Sequence, residues 1–320
     1  MPSPDTLRAP WRPARRDFLK ASAATLLGLG LGARLRAAGA AAAPGLRFGL
    51  VTDVHYADCE PKGTRFYRES IAKLREAVDR LQADGAAFLV ELGDLKDMVP
   101  GESEAATLGH LQVIEREFRR FGGPTYHVLG NHDLDNLSKA QFRAATVNTD
   151  IPADRSYYGF TRGGVRFLVL DTNYTQDGRD YDHGHFDWRD INLPPPELAW
   201  LRSELQAATT PVIVFGHQRL DGEGHVQVVN RAEVRALLEA SGKVLAVFQG
   251  HDHAGACSLI HGIHYYTLKS MIDGSGPENS AYARVEVHPD FSLTVTGYRR
   301  ATSCELAHPG PTAAAPAGAP

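Results

Sequence analysis

The chain has few of the residues and runs that mark disulfide-rich or membrane-spanning proteins. Its 320 residues include only three cysteines, Cys59, Cys257 and Cys304. Three thiols cannot all pair with one another, so no disulfide framework is predicted. The cysteines are expected either to be unpaired or to form one incidental pair. No run of 18 or more apolar residues occurs, so no stable membrane span is expected after removal of an N-terminal signal. No internal repeat is visible.

Clusters of basic residues are also missing, although acidic residues are plentiful. The formal net charge is −4, and no run of Lys and Arg stands outside the N-terminal region. Nucleic-acid binding depends on neutralising phosphates, so this charge balance argues against a nucleic-acid preference. The chain is 43% hydrophobic and 22% charged, which is typical of a soluble globular protein with one large or two small domains.

The two ends of the chain differ in composition from its middle. Paired arginines in the segment 15–20 precede a weakly apolar stretch at 21–33 and an alanine-rich segment that ends near residue 43. This order is typical of a secretory signal, and it resembles a bacterial twin-arginine signal. We therefore expect a signal peptide at 1–43, the twin-arginine export machinery as a partner, and a periplasmic or secreted location. Residues 303–320 are predicted to form a disordered Pro/Ala-rich tail, which leaves 44–302 as one domain.

Between these ends, apolar runs typical of buried strands alternate with segments of helical periodicity. The predicted strands and helices are 46–52, 64–81 (helix), 87–92, 108–121 (helix), 125–129, 157–170 (hairpin), 194–205 (helix), 212–215, 232–238 (helix) and 244–248. Four further strand-like segments follow between residues 257 and 298. Alternation of this kind indicates an α/β fold, and the late strands add antiparallel pairing. We expect mixed sheets with helices on their outer faces.

Metal-binding side chains follow five of the predicted strands at the point where each strand ends. The five blocks are Asp53-Val54-His55, Gly93-Asp94, Gly130-Asn131-His132-Asp133, Gly216-His217 and Gly250-His251-Asp252-His253. Asp and His together suit Mn, Fe, Zn or Co. Asp94 stands alone in its block, which makes it the natural bridging carboxylate between two such ions. Two ions about 3.5–4 Å apart can hold a hydroxide that attacks phosphorus. The preceding glycines are expected to give tight turns off the strand ends.

This set of blocks resembles the calcineurin-like phosphoesterases over about residues 46–300. The resemblance implies a four-layer α/β/β/α sandwich with a dinuclear metal site at the carboxyl ends of its strands. It also implies a phosphate-ester or diphosphate hydrolase that uses a metal-bridging hydroxide. One ion would be bound by Asp53, His55, Asp94 and His253, and the other by Asp94, Asn131, His217 and His251. By the same resemblance His132 would protonate the leaving group or stabilise the transition state, and Asp133 would orient it.

A finer resemblance points to phosphorylated small molecules as substrates. The segments 48–58, 63–70, 250–255 and 261–265 are similar to the manganese-dependent ADP-ribose/CDP-alcohol diphosphatases. Arg65 matches a substrate-binding arginine of that group, and a guanidinium suits two-point binding of phosphate oxygens. An ordinary solvated arginine is the alternative for Arg65. Aromatic residues of the loop 175–193 are expected either to stack on a substrate or simply to anchor that loop.

Four functions remain open at this stage. The first is a diphosphatase of the ADP-ribose/CDP-alcohol type, and the second is a broader phosphomonoesterase or phosphodiesterase that includes cyclic nucleotides among its substrates. The third is an esterase directed at phospholipids or cell-wall precursors. The fourth is a metal- or ligand-binding protein without catalysis.

Overall fold

The structure is a computed structural model that describes residues 45–224 and 226–308. The predicted signal peptide at 1–43 and the final part of the predicted tail lie outside these described residues. All described residues fall in one compact unit. No helix in the described part of the chain is long and apolar enough to cross a membrane.

Twelve strands and five α-helices follow one another along the described residues. In chain order they are β1 (Leu46–Val51), α1 (Ser70–Ala83), β2 (Leu89–Glu91), α2 (Glu104–Phe118), β3 (Thr125–His127), α3 (Lys139–Ala145), β4 (Tyr158–Arg162), β5 (Val165–Val169), α4 (Pro195–Ala207), β6 (Val212–Phe215), α5 (Arg231–Ser241), β7 (Val244–Gln249), β8 (Ala256–Ile260), β9 (Ile263–Thr267), β10 (Ala281–Val287), β11 (Leu293–Arg299) and β12 (Cys304–Leu306). Short 3₁₀ helices lie at Tyr67–Glu69, His132–Leu134 and Pro277–Asn279.

The strands form two six-stranded mixed sheets. The first has the order β12-β11-β10-β1-β2-β3, and the second has the order β4-β5-β6-β7-β9-β8. In the first sheet β1, β2 and β3 are parallel, and in the second β5, β6, β7 and β9 are parallel. The late strands supply antiparallel pairs, as the sequence predicts.

The alternation of side chains along the strands builds three hydrophobic layers. Phe48 and Leu50 of β1 face Phe167 and Phe215 of the other sheet, in a core that lies between the sheets. A second cluster packs the outer face of the first sheet against α1, α2 and α3, and a third packs the outer face of the second sheet against α4 and α5. The structure therefore confirms the predicted four-layer α/β/β/α sandwich.

The first α-helix starts later than predicted, and one α-helix of the structure is missing from the prediction. Helix α1 begins at Ser70 and not at residue 64, because Lys62 and Arg65 pair with each other through their backbones and Arg65 also bridges to Asp273. Helix α3 was not predicted. It has a capping box, in which the Ser138 hydroxyl accepts from the Gln141 backbone and the Gln141 side chain accepts from the Ser138 backbone; this pattern is a recognised start signal for a helix.

The predicted boundary of the C-terminal tail, at residue 303, was wrong. Residues Cys304–Leu306 form strand β12, which pairs with β11 from Leu293 to Val295. Leu306 is only 2% exposed and belongs to the core between the sheets. Because these residues bury apolar surface, the ordered chain continues beyond the predicted end of the domain.

Candidate metal centre

The carboxyl ends of the parallel strands from both sheets meet at one edge of the sandwich. β1 is followed there by Asp53, β2 by Asp94, β6 by His217 and β7 by His251. Three of these residues have left-handed backbones, with φ of +50° at Asp53, +61° at Asp94 and +65° at His251. Non-glycine residues seldom adopt this conformation, and where they do the surrounding structure must stabilise it. The chain therefore turns sharply as each strand ends, and the side chains converge.

Three groups of potential ligands result among the described residues, of which two consist only of predicted ligands and the third, His55 with Asp97 and His132, shares His55 with one of them. The two groups of predicted ligands are called the two clusters below. The first contains Asp53, His55 and His253, and the second contains Asp94, His217 and His251. Within each cluster the ligand atoms lie within 4.8 Å of one another. These six residues, together with Asn131, are the seven metal ligands that the sequence predicts, and the structure brings them to one place.

Asp94 belongs to the second cluster and also faces the first. Its Oδ2 is 3.1 Å from Nε2 of His217 and 3.6 Å from Nε2 of His55, which belongs to the other cluster. Its Oδ1 accepts a hydrogen bond of 2.7 Å from the backbone N–H of His132. One oxygen of this carboxylate thus faces both clusters, which is the position that a bridging ligand needs.

Five of the predicted ligands each have a buried polar atom without a hydrogen-bond partner. Among the described residues, several buried ligand atoms accept or donate no hydrogen bond: Asp53 Oδ1, His55 Nε2, Asn131 Oδ1, His217 Nε2 and His251 Nε2. Leaving a buried polar group unsatisfied is costly, on the order of 1–3 kcal/mol each. Five such atoms from five different residues converge on one small volume, and all are oxygen or nitrogen atoms that bind divalent cations. The donor set therefore fits metal ions.

Two histidines are oriented by an acceptor on the side away from the clusters, and a third has a carboxylate close to that side without a hydrogen bond. His217 Nδ1 lies 2.8 Å from the Leu92 carbonyl oxygen, and His253 Nδ1 lies 2.8 Å from Asp273 Oδ2. His55 Nδ1 lies 3.3 Å from Asp97 Oδ2. An acceptor at Nδ1 fixes the proton there and leaves the Nε2 lone pair for a metal. Asp97 and Asp273 were not among the predicted site residues.

The pKa values of the histidines reflect the negative charge of the site. Burial disfavours their charged forms, yet Asp94 raises the pKa of His217 to about 9. Asp273 and Asp53 likewise raise the pKa of His253 to about 9. His251 is the exception, because burial and the neighbouring His217 lower its pKa to about 3. Carboxylates that draw protons onto buried histidines provide a site that favours cations.

The glycines that precede the ligands serve mainly to allow close approach. A Cβ on Gly130 would lie 2.2 Å from Asp94 Oδ1, one on Gly93 would lie 2.4 Å from His217 Nδ1, and one on Gly250 would lie 2.1 Å from Thr52 Oγ1. Only Gly93 of these has a positive φ, at +104°. Gly216 differs, since its nearest neighbour would be 4.0 Å away. The predicted tight turns are therefore a minor reason for the glycines.

His132 lies beside the ligands and is oriented by a residue that the sequence did not suggest. Its ring lies 4.8 Å from that of His55, and its Nδ1 lies 2.7 Å from Asp135 Oδ2. Asp97 lies farther from the same nitrogen, at 3.6 Å. Burial opposes a charged ring, but Asp94, Asp135 and Asp97 raise the pKa of His132 well above its usual value. An imidazolium at this position is able to donate a proton.

The predicted role of Asp133 as the residue that orients His132 was wrong. Its carboxylate is fully buried and accepts hydrogen bonds from the backbone N–H groups of Gly130, Asp94, Leu95 and Lys96. These backbone donors are the hydrogen-bond partners of Asp133, whereas the His132 ring contacts Asp135 and Asp97. Asp133 fixes the loop that carries Asp94 to the loop that carries Asn131, and so positions ligands.

A cavity of about 510 Å³ lies over the ligands. Its lining includes His132, His251 and His253, together with Arg65, Phe186 and Trp188. Arg65 is 28% exposed and donates from Nη1 to Asp97 Oδ2 at 3.1 Å. The structure thus places Arg65 at the site, in a turn and not at the start of a helix.

The loop at 175–193 both anchors itself and reaches the cavity. Tyr181 is buried and stacks on Phe186 with ring centroids 3.9 Å apart. Trp188 is 43% exposed, and its ring lies 5.9 Å from that of His251. The sequence left two roles open for these aromatics, and each role fits a different residue: Tyr181 and Phe186 anchor the loop, whereas Trp188 lines the cavity.

His264 and Tyr265, which lie in the segment 261–265, do not line the cavity. His264 contacts the Ala307 carbonyl oxygen, and Tyr265 is buried in the third hydrophobic cluster.

Comparisons with known proteins agree with this geometry. The profile of the calcineurin-like phosphoesterase family matches residues 46–255. A manganese-dependent ADP-ribose/CDP-alcohol diphosphatase of Oryza sativa subsp. japonica is 30% identical over 79% of this chain and 91% of its own length. The protein of the same name from Homo sapiens is 24% identical over 76% of this chain and 87% of its own length.

Solved structures show the same fold. A dimetal phosphatase from Danio rerio superposes with a TM-score of 0.71 at 22% identity, covering 83% of this chain and 100% of that one. A purple acid phosphatase from yellow lupin seeds superposes with a TM-score of 0.56 at 11% identity, covering 81% and 52%. The predicted metal-dependent phosphoesterase is confirmed, and the chain belongs to the calcineurin-like phosphoesterase family.

Proposed function

We propose that this phosphoesterase hydrolyses the diphosphate bond of nucleotide-linked small molecules, with two divalent metal ions as cofactors. The observation that carries the proposal is the convergence of unpartnered ligand atoms on the floor of a cavity whose walls hold Arg65 and Trp188. The 30% identical relative is a diphosphatase by name. Arg65 lies beside Asp97, close to His55 of one cluster, and Trp188 lies beside His251 of the other. A charged and an aromatic side chain placed in this way suit a substrate with phosphates at one end and a ring at the other.

One ion would be bound by Asp53, His55 and His253, and the other by Asn131, His217 and His251, with Asp94 shared. Ions bound there would supply the Lewis-acid activation of water and of the phosphoryl group that hydrolysis requires. Manganese is the metal named for the relatives. Asp, Asn and His also bind Fe, Zn or Co. The identity of the bound metal therefore depends on which ions are available as well as on the ligands.

The remaining steps fall to side chains around the ligands. Arg65, positioned by Asp97, would bind phosphate oxygens through the guanidinium N–H groups that do not contact Asp97. His132, with Nδ1 bonded to Asp135, would present Nε2 to the leaving oxygen and donate a proton as the P–O bond breaks. Trp188 would stack on the base or sugar at the far end of the substrate.

A substrate panel on the metal-replete protein tests the proposal. With Mn²⁺ added, kcat/KM for ADP-ribose and CDP-choline is expected to exceed that for phosphomonoesters and cyclic nucleotides by at least tenfold. Preference for p-nitrophenyl phosphate or for a cyclic nucleotide would favour the broader phosphomonoesterase or phosphodiesterase. Absence of turnover on every substrate, with metal bound, would favour a binding protein without catalysis.

We also propose that residues 1–43 are a twin-arginine export signal and that the enzyme works in the periplasm or outside the cell. The support is the order of paired arginines, apolar stretch and alanine-rich segment in the sequence. Replacing Arg15 and Arg16 with lysine is expected to retain the protein in the cytoplasm of a bacterial host, as measured by cell fractionation. Unchanged export of this variant would contradict the proposal.

A further inference from the structure

Two of the three cysteines lie side by side on the edge strands of opposite sheets. Cys257 is the second residue of β8, the last strand of the second sheet, and Cys304 begins β12, the last strand of the first sheet. Their sulfur atoms are 3.2 Å apart, and the two residues are separated by 47 positions in the chain. A disulfide needs sulfurs about 2.05 Å apart, so a shift of about 1 Å would bring them to bonding distance.

We propose that Cys257 and Cys304 form an intramolecular disulfide that joins the edges of the two sheets. The two strands belong to different sheets, so no backbone ladder connects them. The bond would add a covalent link between the two sheets on this side of the sandwich.

The surrounding contacts already bring β12 into place, so bond formation requires little movement. Tyr266, the residue opposite Cys257 on β9, donates a hydrogen bond of 2.6 Å to the Thr302 carbonyl oxygen. His264 on the same strand lies 2.9 Å from the Ala307 carbonyl oxygen through Nε2. These two contacts lie on either side of Cys304 in sequence. They fix the segment that carries it against the second sheet.

A covalent link would stabilise the attachment of strand β12, which carries Cys304. β12 is three residues long and pairs with β11 at three positions, and short edge strands contribute little ladder energy. β8 begins three residues after His253, one of the candidate ligands. A disulfide here would anchor both the end of the ordered chain and the strand that leads away from the ligands.

The chemistry requires an oxidant of the disulfide class, such as oxidised glutathione. The thiolate of one cysteine attacks a sulfur of that oxidant, forms a mixed disulfide and releases one thiol. The second cysteine then loses its proton and attacks the first, which forms the intramolecular bond and releases the second thiol. The two protein thiols lose two electrons and two protons, and the oxidant disulfide is reduced to two thiols. Cys257 is exposed, so an oxidant has access to it.

Cys59 provides an internal control. It packs against a separate small cluster of Ala57, Tyr67 and Ile272, and no hydrogen bond connects it to either of the other thiols. Oxidation should therefore leave one free thiol in each chain.

The test uses the purified wild-type protein in a glutathione redox buffer, and it depends on neither export nor activity. Thiol titration under denaturing conditions is expected to give one free thiol after oxidation and three after reduction. Peptide mapping should recover a cross-linked pair that contains Cys257 and Cys304. Because a 47-residue loop is closed, the melting temperature of the oxidised protein should exceed that of the reduced one by roughly 5–10 °C.

Substitutions separate this bond from other oxidation products. Cys257→Ser and Cys304→Ser should each abolish the melting-temperature difference between the two redox states, whereas Cys59→Ser should retain it. Three free thiols after oxidation would overturn the proposal. So would a stable glutathione adduct, a disulfide-linked dimer or a bridge that includes Cys59. The comparison of oxidised with reduced wild-type protein needs no variant to fold.

Discussion

Asp135 Oδ2 lies 2.7 Å from Nδ1 of His132, at the end of the 3₁₀ helix that starts at that histidine. This pair determines which ring nitrogen faces the cavity. It also adds negative charge that favours the imidazolium form of His132. Asp135 is therefore a positioning residue for the proposed proton donor.

Replacing Asp135 with asparagine should reduce catalysis without removing the metals. We expect kcat for a diphosphate substrate to fall roughly 10–100-fold, because the ring loses its orientation and part of its affinity for the proton. An ester with p-nitrophenolate as its leaving group needs little protonation, so its kcat should fall much less. The contrast between the two leaving groups is the diagnostic measurement.

Asp182 provides a matched control for that substitution. It makes a similar contact of 2.8 Å with His183. Asp182 is exposed and His183 is half-buried, and neither lines the cavity. Asp182→Asn should leave both rates unchanged. An equal loss for both leaving groups in Asp135→Asn would show that the residue has only a structural role.

The glycines before the ligands give a second prediction. In Gly250→Ala the new Cβ would lie 2.1 Å from Thr52 Oγ1 and 2.9 Å from Asp53 Oδ2. Thr52 must move, and Asp53 must move with it because the Thr52 hydroxyl donates a hydrogen bond to Asp53 Oδ2. Displacement of about 1 Å at a reactive site costs on the order of 100-fold in rate. Gly216→Ala meets no atom closer than 4.0 Å and should retain activity within about threefold. Similar losses in both variants would contradict the close-approach explanation.

Trp188 allows a test of the substrate orientation. If its ring stacks on the base or sugar, Trp188→Ala should raise KM for ADP-ribose or CDP-choline roughly 5–30-fold, since such stacking contributes about 1–2 kcal/mol. Trp188→Phe should lose less, because it keeps an aromatic face. Leu259→Ala, at a residue 60% exposed on β8, is the control. An unchanged KM in Trp188→Ala would exclude Trp188 from binding.

The ligand blocks could be predicted from sequence because each is short and adjoins a buried strand. Asp53 and His55 are two residues apart, and parallel strands bring such blocks to one edge whatever the details of the loops. The partners of the histidines were harder to predict. Asp273 reaches His253 from 20 residues away, and its sequence neighbours carry no motif that would single it out.

The misassignment of Asp133 has a similar physical cause. We predicted that Asp133 orients His132 because the two residues are adjacent in sequence. In a 3₁₀ turn, however, adjacent side chains leave the backbone in different directions. The third residue along returns to the same face of a 3₁₀ turn, which is where Asp135 stands. Helix α3 was missed because it has only seven residues, although the capping box at Ser138 and Gln141 was visible in the sequence.

A buried histidine with two buried glutamates should make stability depend on pH. His127 lies 3.0 Å from Glu115 and 3.6 Å from Glu91. Burial disfavours the charged ring, but these carboxylates outweigh it and raise the pKa of His127 to about 10, against about 6.5 in an unfolded chain. The stabilising contribution is therefore complete below about pH 6.5 and is lost as the pH rises toward 10.

Urea unfolding between pH 7.5 and 9.5 measures this loss. The free energy of unfolding of the wild-type protein should fall by about 1 kcal/mol per pH unit more than that of His127→Gln. Burial raises the pKa of Glu91 to about 8. Loss of its proton therefore also lowers the free energy of unfolding as the pH rises, and it does so in both proteins. Parallel pH dependences for the two proteins would show that His127 is not charged in the folded state.

The central claim is that Asp94 joins two metal ions at a site that hydrolyses diphosphates. Its most direct test is a Mn²⁺ titration of kcat/KM for ADP-ribose or CDP-choline, carried out on the wild-type protein and on Asp94→Asn, with bound metal measured on the same samples. We predict activation of the wild-type protein with about two ions per chain, and in the variant a rate at least 100-fold lower together with reduced metal content. Full activity and two bound ions in Asp94→Asn would contradict the account.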